Sequence, residues 1–239
     1  MLGLMQRQPL LISSLIDFAA RHHGDGEIVS RRVEGDVHRY TWKDVRQRSM
    51  QVAHALEKGG ISTGQRVATL AWNGYRHLEL YYGVSGSGRV LHTINPRLHP
   101  EQVAWIVSHA EDQVLAFDTS FLPMVQSIAG KCPGVRLWIA LCEKDQLPVD
   151  SGIPGLLSYE DWIDGHLAEY PWPDLDENVA SSLCYTSGTT GNPKGVLYSH
   201  RSTLLHAYAA AWPDVMNLSA RDSVLPVVPM FHVNAWGIP

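Results

Sequence analysis

Cysteine is scarce in this sequence. The 239 residues contain three, Cys132, Cys142 and Cys184, which are odd in number and far apart. They show neither the C-x-x-C spacing nor the Cys/His spacing of zinc ligands. The sequence therefore supports neither a disulfide framework nor a zinc site, and a reducing, cytoplasmic setting fits best.

Long hydrophobic runs and an excess of basic charge are also lacking. No apolar run approaches the roughly 18 residues of a membrane-spanning helix, and the apolar stretch at residues 10–16 ends at Asp17 without a small-residue cleavage site after it. Nucleic acid binding needs clustered basic charge, whereas 19 Lys and Arg stand against 24 Asp and Glu here. We expect a chain that is neither exported nor membrane-spanning, with no nucleic acid partner.

Enough apolar sequence is present for a real core, since 45% of the residues are hydrophobic. From Arg66 onward, short apolar runs alternate with helical patterns, which is typical of βαβ units. The run at 136–141 is apolar on both faces, as in a parallel sheet covered on each side by helices. The pattern predicts an α/β fold with a layered sheet. The predicted strands are 67–72, 90–94, 114–117 and 135–141, and the helices 75–84, 100–110 and 121–129.

The first sixty residues have the pattern of a helix, a hairpin and a second helix. The β-prone runs 27–33 and 37–40 flank Gly35, which can take the positive φ of a tight turn. Thr41 is placed to cap the second helix, with Asp44 near the positive end of its dipole. Residues 142–173 are rich in proline and predict a looser joint with one short helix capped by Ser158.

A loop rich in glycine and hydroxyls separates two β-prone runs, 179–185 and 196–198. Residues 186–195 read T-S-G-T-T-G-N-P-K-G. Glycines let backbone N–H groups turn toward an anion, hydroxyls add donors, and the lysine adds a mobile positive charge. These features suit a phosphate chain. A flexible linker is the alternative, but the loop is short, lies between apolar strands and is stiffened by Pro193.

Two familiar phosphate loops do not match. A Walker A loop needs glycine directly before its lysine and a hydroxyl directly after it, whereas Pro193 and Gly195 flank Lys194. The G-x-G-x-x-G of a kinase loop is absent as well. The loop therefore indicates polyphosphate binding by a different family.

The same ten residues resemble the signature phosphate loop of the adenylate-forming enzymes, which comprise acyl-CoA synthetases, luciferases and peptide-synthetase adenylation domains. Residues 198–201 resemble that family's helix entry, and 229–237, reading P-M-F-H-V-N-A-W-G, resemble its next core motif in the fatty acyl-CoA synthetase branch. Residues 73–79, 91–98 and 109–112 also resemble that branch. The resemblance runs from about Thr41 to the end, and implies that residues 1–239 are part of the large N-terminal AMP-binding domain.

The resemblance implies an ATP-dependent acid–thiol ligase that converts a medium- to long-chain fatty acid into an acyl-adenylate and then, with coenzyme A, into acyl-CoA. Magnesium would accompany ATP. The implied phosphate-binding residues are Thr186, Ser187, Gly188, Thr189, Thr190, Gly191 and Lys194, with Lys194 also catalytic and Thr186 also a magnesium ligand.

Two residues of the later motif receive roles from the same resemblance. His232 would be catalytic and would line the junction of the acyl and adenylate pockets, and Trp236 would gate the acyl tunnel. Each has a plainer alternative. Thr186 could be a β-branched packing residue, His232 a satisfied buried polar group, and Trp236 a core aromatic.

Several parts of the resembling family do not occur in this sequence: the Y-G-x-T-E and T-G-D segments, the hinge and the small C-terminal domain. We therefore expect an N-terminal fragment that is inactive alone and exposes a sheet edge at residues 224–228. A ligase for short thioether or aryl carboxylates is an alternative, and a non-catalytic nucleotide- or partner-binding module is another. The resemblance also implies a cytoplasmic enzyme with the capacity for peripheral membrane association and homodimer formation.

Overall fold

The computed structural model describes residues 1, 3–186 and 192–239. Nine strands and seven helices of these residues build two sheets and the layers around them. The strands are β1 (Glu27–Arg31), β2 (Val37–Thr41), β3 (Arg66–Leu70), β4 (Val90–Thr93), β5 (Asp112–Phe117), β6 (Leu137–Ala140), β7 (Leu157–Ser158), β8 (Ala180–Thr186) and β9 (Lys194–Ser199). The helices are α1 (Ile12–His22), α2 (Trp42–Lys58), α3 (Tyr75–Gly86), α4 (Pro100–His109), α5 (Leu122–Ala129), α6 (Tyr159–Ile163) and α7 (His200–Ala211).

A seven-stranded sheet with the order β7-β6-β5-β3-β4-β8-β9 forms the centre of the molecule. Every neighbouring pair in it is parallel except β8 and β9, which run antiparallel. Alternate residues of β5 enter different clusters: Val114 and Ala116 pack in one core cluster, Leu115 and Phe117 in another. Because side chains alternate along a strand, apolar cores lie on both faces of the sheet. The predicted α/β layered fold is confirmed.

The N-terminal hairpin and helix also match their predictions. Strands β1 and β2 pair antiparallel, and Gly35 takes a φ of +101° in the turn between them. The Thr41 side chain accepts from the Asp44 backbone N–H, and Asp44 Oδ2 accepts from the Thr41 backbone N–H at 2.8 Å. This reciprocal capping box starts α2. Gly60 has a φ of +69° just past the end of that helix.

Residues 142–173 are more regular than their composition predicts. The short helix is present, since Ser158 Oγ accepts from the Asp161 backbone N–H at 3.2 Å. In addition, β7 pairs with the end of β6 in parallel register. This stretch therefore supplies an edge strand of the main sheet, which its proline content concealed.

The expectation of a sheet edge at residues 224–228 is wrong. This segment is not a strand, and the backbone carbonyls of Pro226 and Val228 accept hydrogen bonds from Asn73 Nδ2 at 2.8 and 3.2 Å. Leu225 and Val227 are 84% and 83% exposed. A side chain, rather than a neighbouring strand, therefore binds two of the carbonyls of this segment. Among the described residues, the two edge strands of the sheet are β7 and β9.

Within the described residues, every helix is too short or too polar to cross a membrane. Each of the three cysteines is a buried free thiol.

Candidate active site

The sequence places the hydroxyl-rich loop between two strands, and these strands are adjacent and antiparallel. Thr186 at the end of β8 is paired with Lys194 at the start of β9, and Thr186 Oγ1 lies 3.5 Å from Lys194 O. Both side chains belong to exposed residues. The other predicted phosphate-binding residues lie outside the described part of the chain: Ser187, Gly188, Thr189, Thr190 and Gly191.

The stem below this loop is closely packed. A Cβ on Gly195 would lie 3.2 Å from both Leu183 Cδ1 and Tyr185 Cζ, so only glycine fits there without a shift of its neighbours. The Tyr185 hydroxyl contacts His109 Nδ1 at 2.6 Å, and burial raises the pKa of the phenol. Tyr185 thereby ties the strand that enters the loop to helix α4.

A buried histidine–aspartate pair lies beside Tyr185. His92 Nδ1 is 2.8 Å from Asp112 Oδ2, both side chains are fully buried, and the His92 and Tyr185 rings are 5.2 Å apart. Burial raises the pKa of Asp112, and His92 opposes that rise. The pair joins β4 to β5 under the stem of the loop.

The second predicted segment, residues 229–237, ends in a 3-10 turn at Val233–Gly237. His232 is exposed and Trp236 is 57% exposed. Both residues therefore face solvent in this chain. His206 Nε2 lies 3.0 Å from Trp236 O, which joins the turn to α7.

One asparagine joins the turn to β8. Asn234 Nδ2 donates to Ser182 Oγ at 2.7 Å, and Cys184 Sγ lies 3.6 Å from Asn234 Oδ1. Residues two apart on a strand share a face, so Ser182, Cys184 and Thr186 point to the same side of β8. The turn that carries His232 and Trp236 therefore lies on the face of β8 to which Thr186 belongs.

Sequence reasoning missed the residues that hold this segment. Asn73 binds residues 226–230 through three hydrogen bonds, the Tyr81 hydroxyl donates to Met230 O, and Asn234 anchors the turn. Asn73 and Asn234 both belong to motifs that the resemblance singled out. Their position in these motifs could have marked both asparagines as candidates, although the motifs did not indicate what either residue does.

A small apolar cavity lies beneath the turn. It has a volume of about 60 Å³, and its lining includes Leu15, Tyr81, Leu91 and Asn234. Ligand pockets typically measure about 300–1,000 Å³, so this cavity is too small for a fatty acyl chain. Neither His232 nor Trp236 lines it.

The described residues could contribute to a magnesium site only if phosphate groups supplied most of the ligands. In residues 1, 3–186 and 192–239, no group of three or more His, Cys, Asp or Glu residues could hold a metal ion. Thr186 supplies a single hydroxyl oxygen at the mouth of the loop. Magnesium is commonly held by substrate phosphates with few protein ligands, which is compatible with one threonine.

Residues 16–238 match the profile of the AMP-binding enzymes. The chain belongs to this family. The match includes both stems of the loop and the turn of His232.

Two curated relatives within the family are similar over the whole chain. The chain is 55% identical over 239 residues to a medium-chain-fatty-acid–CoA ligase of Ectopseudomonas oleovorans, covering 100% of this chain and 44% of the relative. It is 54% identical to a 3-methylmercaptopropionyl-CoA ligase of Ruegeria pomeroyi, with the same coverage. The chain thus spans less than half the length of these relatives.

A solved structure has the same fold. The anthranilate CoA ligase AuaEII, in complex with anthranoyl-AMP, matches 98% of this chain and 44% of its own, with a TM-score of 0.79 and 21% identity. At this identity the likeness concerns the fold alone.

Proposed function

We propose that this chain is the N-terminal part of an ATP-dependent acid–CoA ligase that acts on a medium- to long-chain fatty acid. The observation that carries the proposal is the shared face of β8, because Asn234 holds the turn of His232 and Trp236 on the side where Thr186 opens the loop. A carboxylate between the two segments would lie near phosphates held by the loop.

The reaction has two balanced steps. A carboxylate oxygen attacks the α-phosphorus of ATP, the bond to the β-phosphate bridging oxygen breaks, and pyrophosphate leaves. The coenzyme A thiolate then attacks the carbonyl carbon of the acyl-adenylate, and AMP leaves with the electron pair of the broken C–O bond. The first step develops negative charge on the departing pyrophosphate, so fixed donors at that position lower the barrier.

The loop residues supply those donors in our proposal. Ser187, Thr189 and Thr190 donate hydroxyl hydrogen bonds, the backbone at Gly188 and Gly191 approaches the phosphates, and Lys194 adds a charge at the exposed start of β9. Magnesium bound with ATP would neutralise phosphate charge, and Thr186 would offer it one oxygen.

In this proposal His232 and Trp236 contact the fatty acid rather than the phosphates held by the loop. His232 orients the carboxylate or the adenylate phosphate, and Trp236 gates the mouth of the acyl tunnel. Their exposure suits contact with a substrate. The tunnel needs residues outside the described part, because the cavity under the turn is too small.

The test uses the full-length gene product. With octanoate or palmitate, ATP and coenzyme A, we expect acyl-CoA and one pyrophosphate per turnover. Lys194→Ala should lower kcat/KM for ATP about 100-fold, which is the loss typical of one removed transition-state donor. Lys131→Ala is the matched control, since Lys131 is also exposed but lies just after α5, outside the loop. Equal loss in both variants, or none in Lys194→Ala, contradicts the role of the loop.

A short thioether acid is a second candidate substrate, because the Ruegeria pomeroyi relative is 54% identical and the Ectopseudomonas oleovorans relative 55%. Aryl carboxylates are the third class of acid to be tested. We expect the highest kcat/KM with octanoate or a longer acid, above 3-(methylthio)propionate and benzoate. A preference for the thioether acid overturns the fatty acid assignment. Absence of turnover with every acid, together with Mg-ATP binding, supports the non-catalytic module.

We further propose a cytoplasmic enzyme with peripheral membrane association and a homodimeric state. The three buried free thiols suit a reducing compartment. Sedimentation with lipid vesicles tests membrane association, and light scattering of the full-length product tests the dimer.

A further inference from the structure

The turn at the end of the chain has an unusual backbone. Val233, Asn234, Ala235 and Trp236 take φ values of 48°, 50°, 48° and 57°, and Gly237 follows at 69°. Left-handed geometry is unfavourable for most residues other than glycine and asparagine, and it is least favourable for a β-branched residue such as Val233. Contacts elsewhere must offset this cost.

The side chain of Asn234 makes the contacts that reach into the sheet. Its Nδ2 donates to Ser182 Oγ at 2.7 Å, and its Oδ1 accepts from Thr93 Oγ1 at 3.2 Å. The sulfur of Cys184 is 3.6 Å from the same Oδ1. These three partners lie on β4 and β8 and are buried. One amide thus binds two neighbouring strands at once.

Other contacts hold the backbone of the turn. The Ala235 side chain is fully buried, His206 Nε2 is 3.0 Å from Trp236 O, and the Tyr82 hydroxyl donates to Pro239 O at 2.6 Å. These contacts fix the turn against α3 and α7. Asn234 differs from them because it fixes the turn against the strand that leads into the loop.

The geometry points to Asn234 as the positioning residue of the site. The side chain of Asn234 holds the left-handed turn on β4 and β8. In this arrangement Ala235 points inward, whereas His232 and Trp236 point outward beside the strands that flank the loop. The catalytic consequence rests on the proposed function. The positional role does not, because it concerns where His232 and Trp236 lie.

The chain offers a matched control for the backbone effect. Asn217 also has a left-handed φ, of 52°, but is exposed. Asparagine tolerates this conformation better than alanine does, so Asn217→Ala measures the loss of that tolerance. Asn234→Ala removes both the tolerance of asparagine for a left-handed φ and the three side-chain contacts. Asn234→Asp keeps the acceptor for Thr93 and loses the donor to Ser182.

The first measurement is fluorine NMR of the full-length gene product labelled with 5-fluorotryptophan. Trp236→Phe identifies the Trp236 resonance, and the other seven tryptophans of residues 1–239 serve as internal references. We expect Asn234→Ala to move or broaden the Trp236 resonance and leave the others in place. Asn234→Asp and Ser182→Ala should move it less, and Asn217→Ala should not move it. An unmoved Trp236 resonance in Asn234→Ala overturns the inference, as does an equal shift in Asn217→Ala.

The second measurement uses the full-length ligase. Asn234→Ala should lower kcat for pyrophosphate release about 10- to 100-fold, the effect of a misplaced reacting group. Its KM for ATP should stay within about twofold, because the loop is untouched, whereas a general loss of structure would change both values and the melting temperature. An unchanged kcat beside a moved Trp236 resonance overturns the catalytic part. If the unaltered ligase turns over no acid, the proposed function fails, and the NMR result still decides the positional role.

Discussion

The backbone N–H of Met230 donates a hydrogen bond of 2.6 Å to Asn73 Oδ1, across 157 residues of sequence. Asn73 follows β3 and precedes α3, and its Nδ2 reaches Pro226 O and Val228 O as well. One amide therefore satisfies three backbone groups of a segment without regular structure. This contact sets the path of the chain toward His232 and makes Asn73 the residue whose loss should release it.

Asn73→Ala should free residues 224–230 and destabilise the chain by about 1–3 kcal/mol, because partly buried backbone groups lose their partner. The measurement is limited proteolysis, with cleavage expected near the exposed Leu225. Asn178→Ala is the control, since the Asn178 side chain bonds only locally, to Asp176. Equal cleavage in the two variants contradicts the anchoring role.

Gly83 of α3 packs directly against α2. A Cβ there would lie 2.6 Å from Ser49 O and 2.7 Å from Val52 Cβ. Gly83→Ala should therefore lower the free energy of unfolding by about 1–3 kcal/mol, the usual cost of overpacking.

Gly130 provides the opposite case. It has a φ of −68°, and its added Cβ would meet nothing within 4 Å. Gly130→Ala should raise stability by about 0.4–1 kcal/mol, because it restricts the unfolded chain. Urea unfolding of both variants gives the comparison, and a loss in Gly130→Ala as large as in Gly83→Ala would show that close packing at Gly83 is not the cause.

Asp118 should make stability depend on pH. Burial raises the pKa of its carboxyl from the ordinary 3.8 to about 7. The Trp72 backbone N–H, which donates to Oδ2 at 2.6 Å, lowers this pKa and so opposes the effect of burial. Between these two pH values the unfolded chain releases the proton and the folded chain keeps it. The contribution of Asp118 to stability is therefore full below pH 3.8 and falls as pH rises toward 7, by at most about 1.4 kcal/mol per pH unit.

Asp118→Asn keeps an acceptor for Trp72 and removes the titration. The free energy of unfolding of the unaltered chain, minus that of Asp118→Asn, should decrease from pH 4 to pH 7 and then level off. Asp214→Asn, at an exposed position, is the control. A difference that is constant with pH refutes the assignment.

Removing one partner of the buried His92 and Asp112 pair should cost more than removing both. Asp112→Ala leaves a fully buried imidazole without its hydrogen-bond partner and should cost about 1–3 kcal/mol. Replacing both, as His92→Leu with Asp112→Val, should cost less, since no unpaired polar group is left. Chemical denaturation measures both, and a double variant as unstable as the single one would contradict this account.

The local elements were predictable from the sequence. Thr41 and Asp44 lie three residues apart, and Gly35 lies in the turn that it makes possible. Each of the strands β3 to β6 is buried, as its run of apolar residues predicts. The loop between β8 and β9 was recognisable from ten consecutive residues. These features depend on neighbours in sequence, so composition and spacing contain the necessary information.

Tertiary structure alone decided the rest. The strand β7, the coil at residues 224–228 and the exposure of His232 and Trp236 all depend on partners far along the chain. Asn73 binds 157 residues ahead and Asn234 binds Ser182, 52 residues behind. Such contacts form only once the order of β4 and β8 in the sheet brings distant segments together, and no local pattern encodes that order.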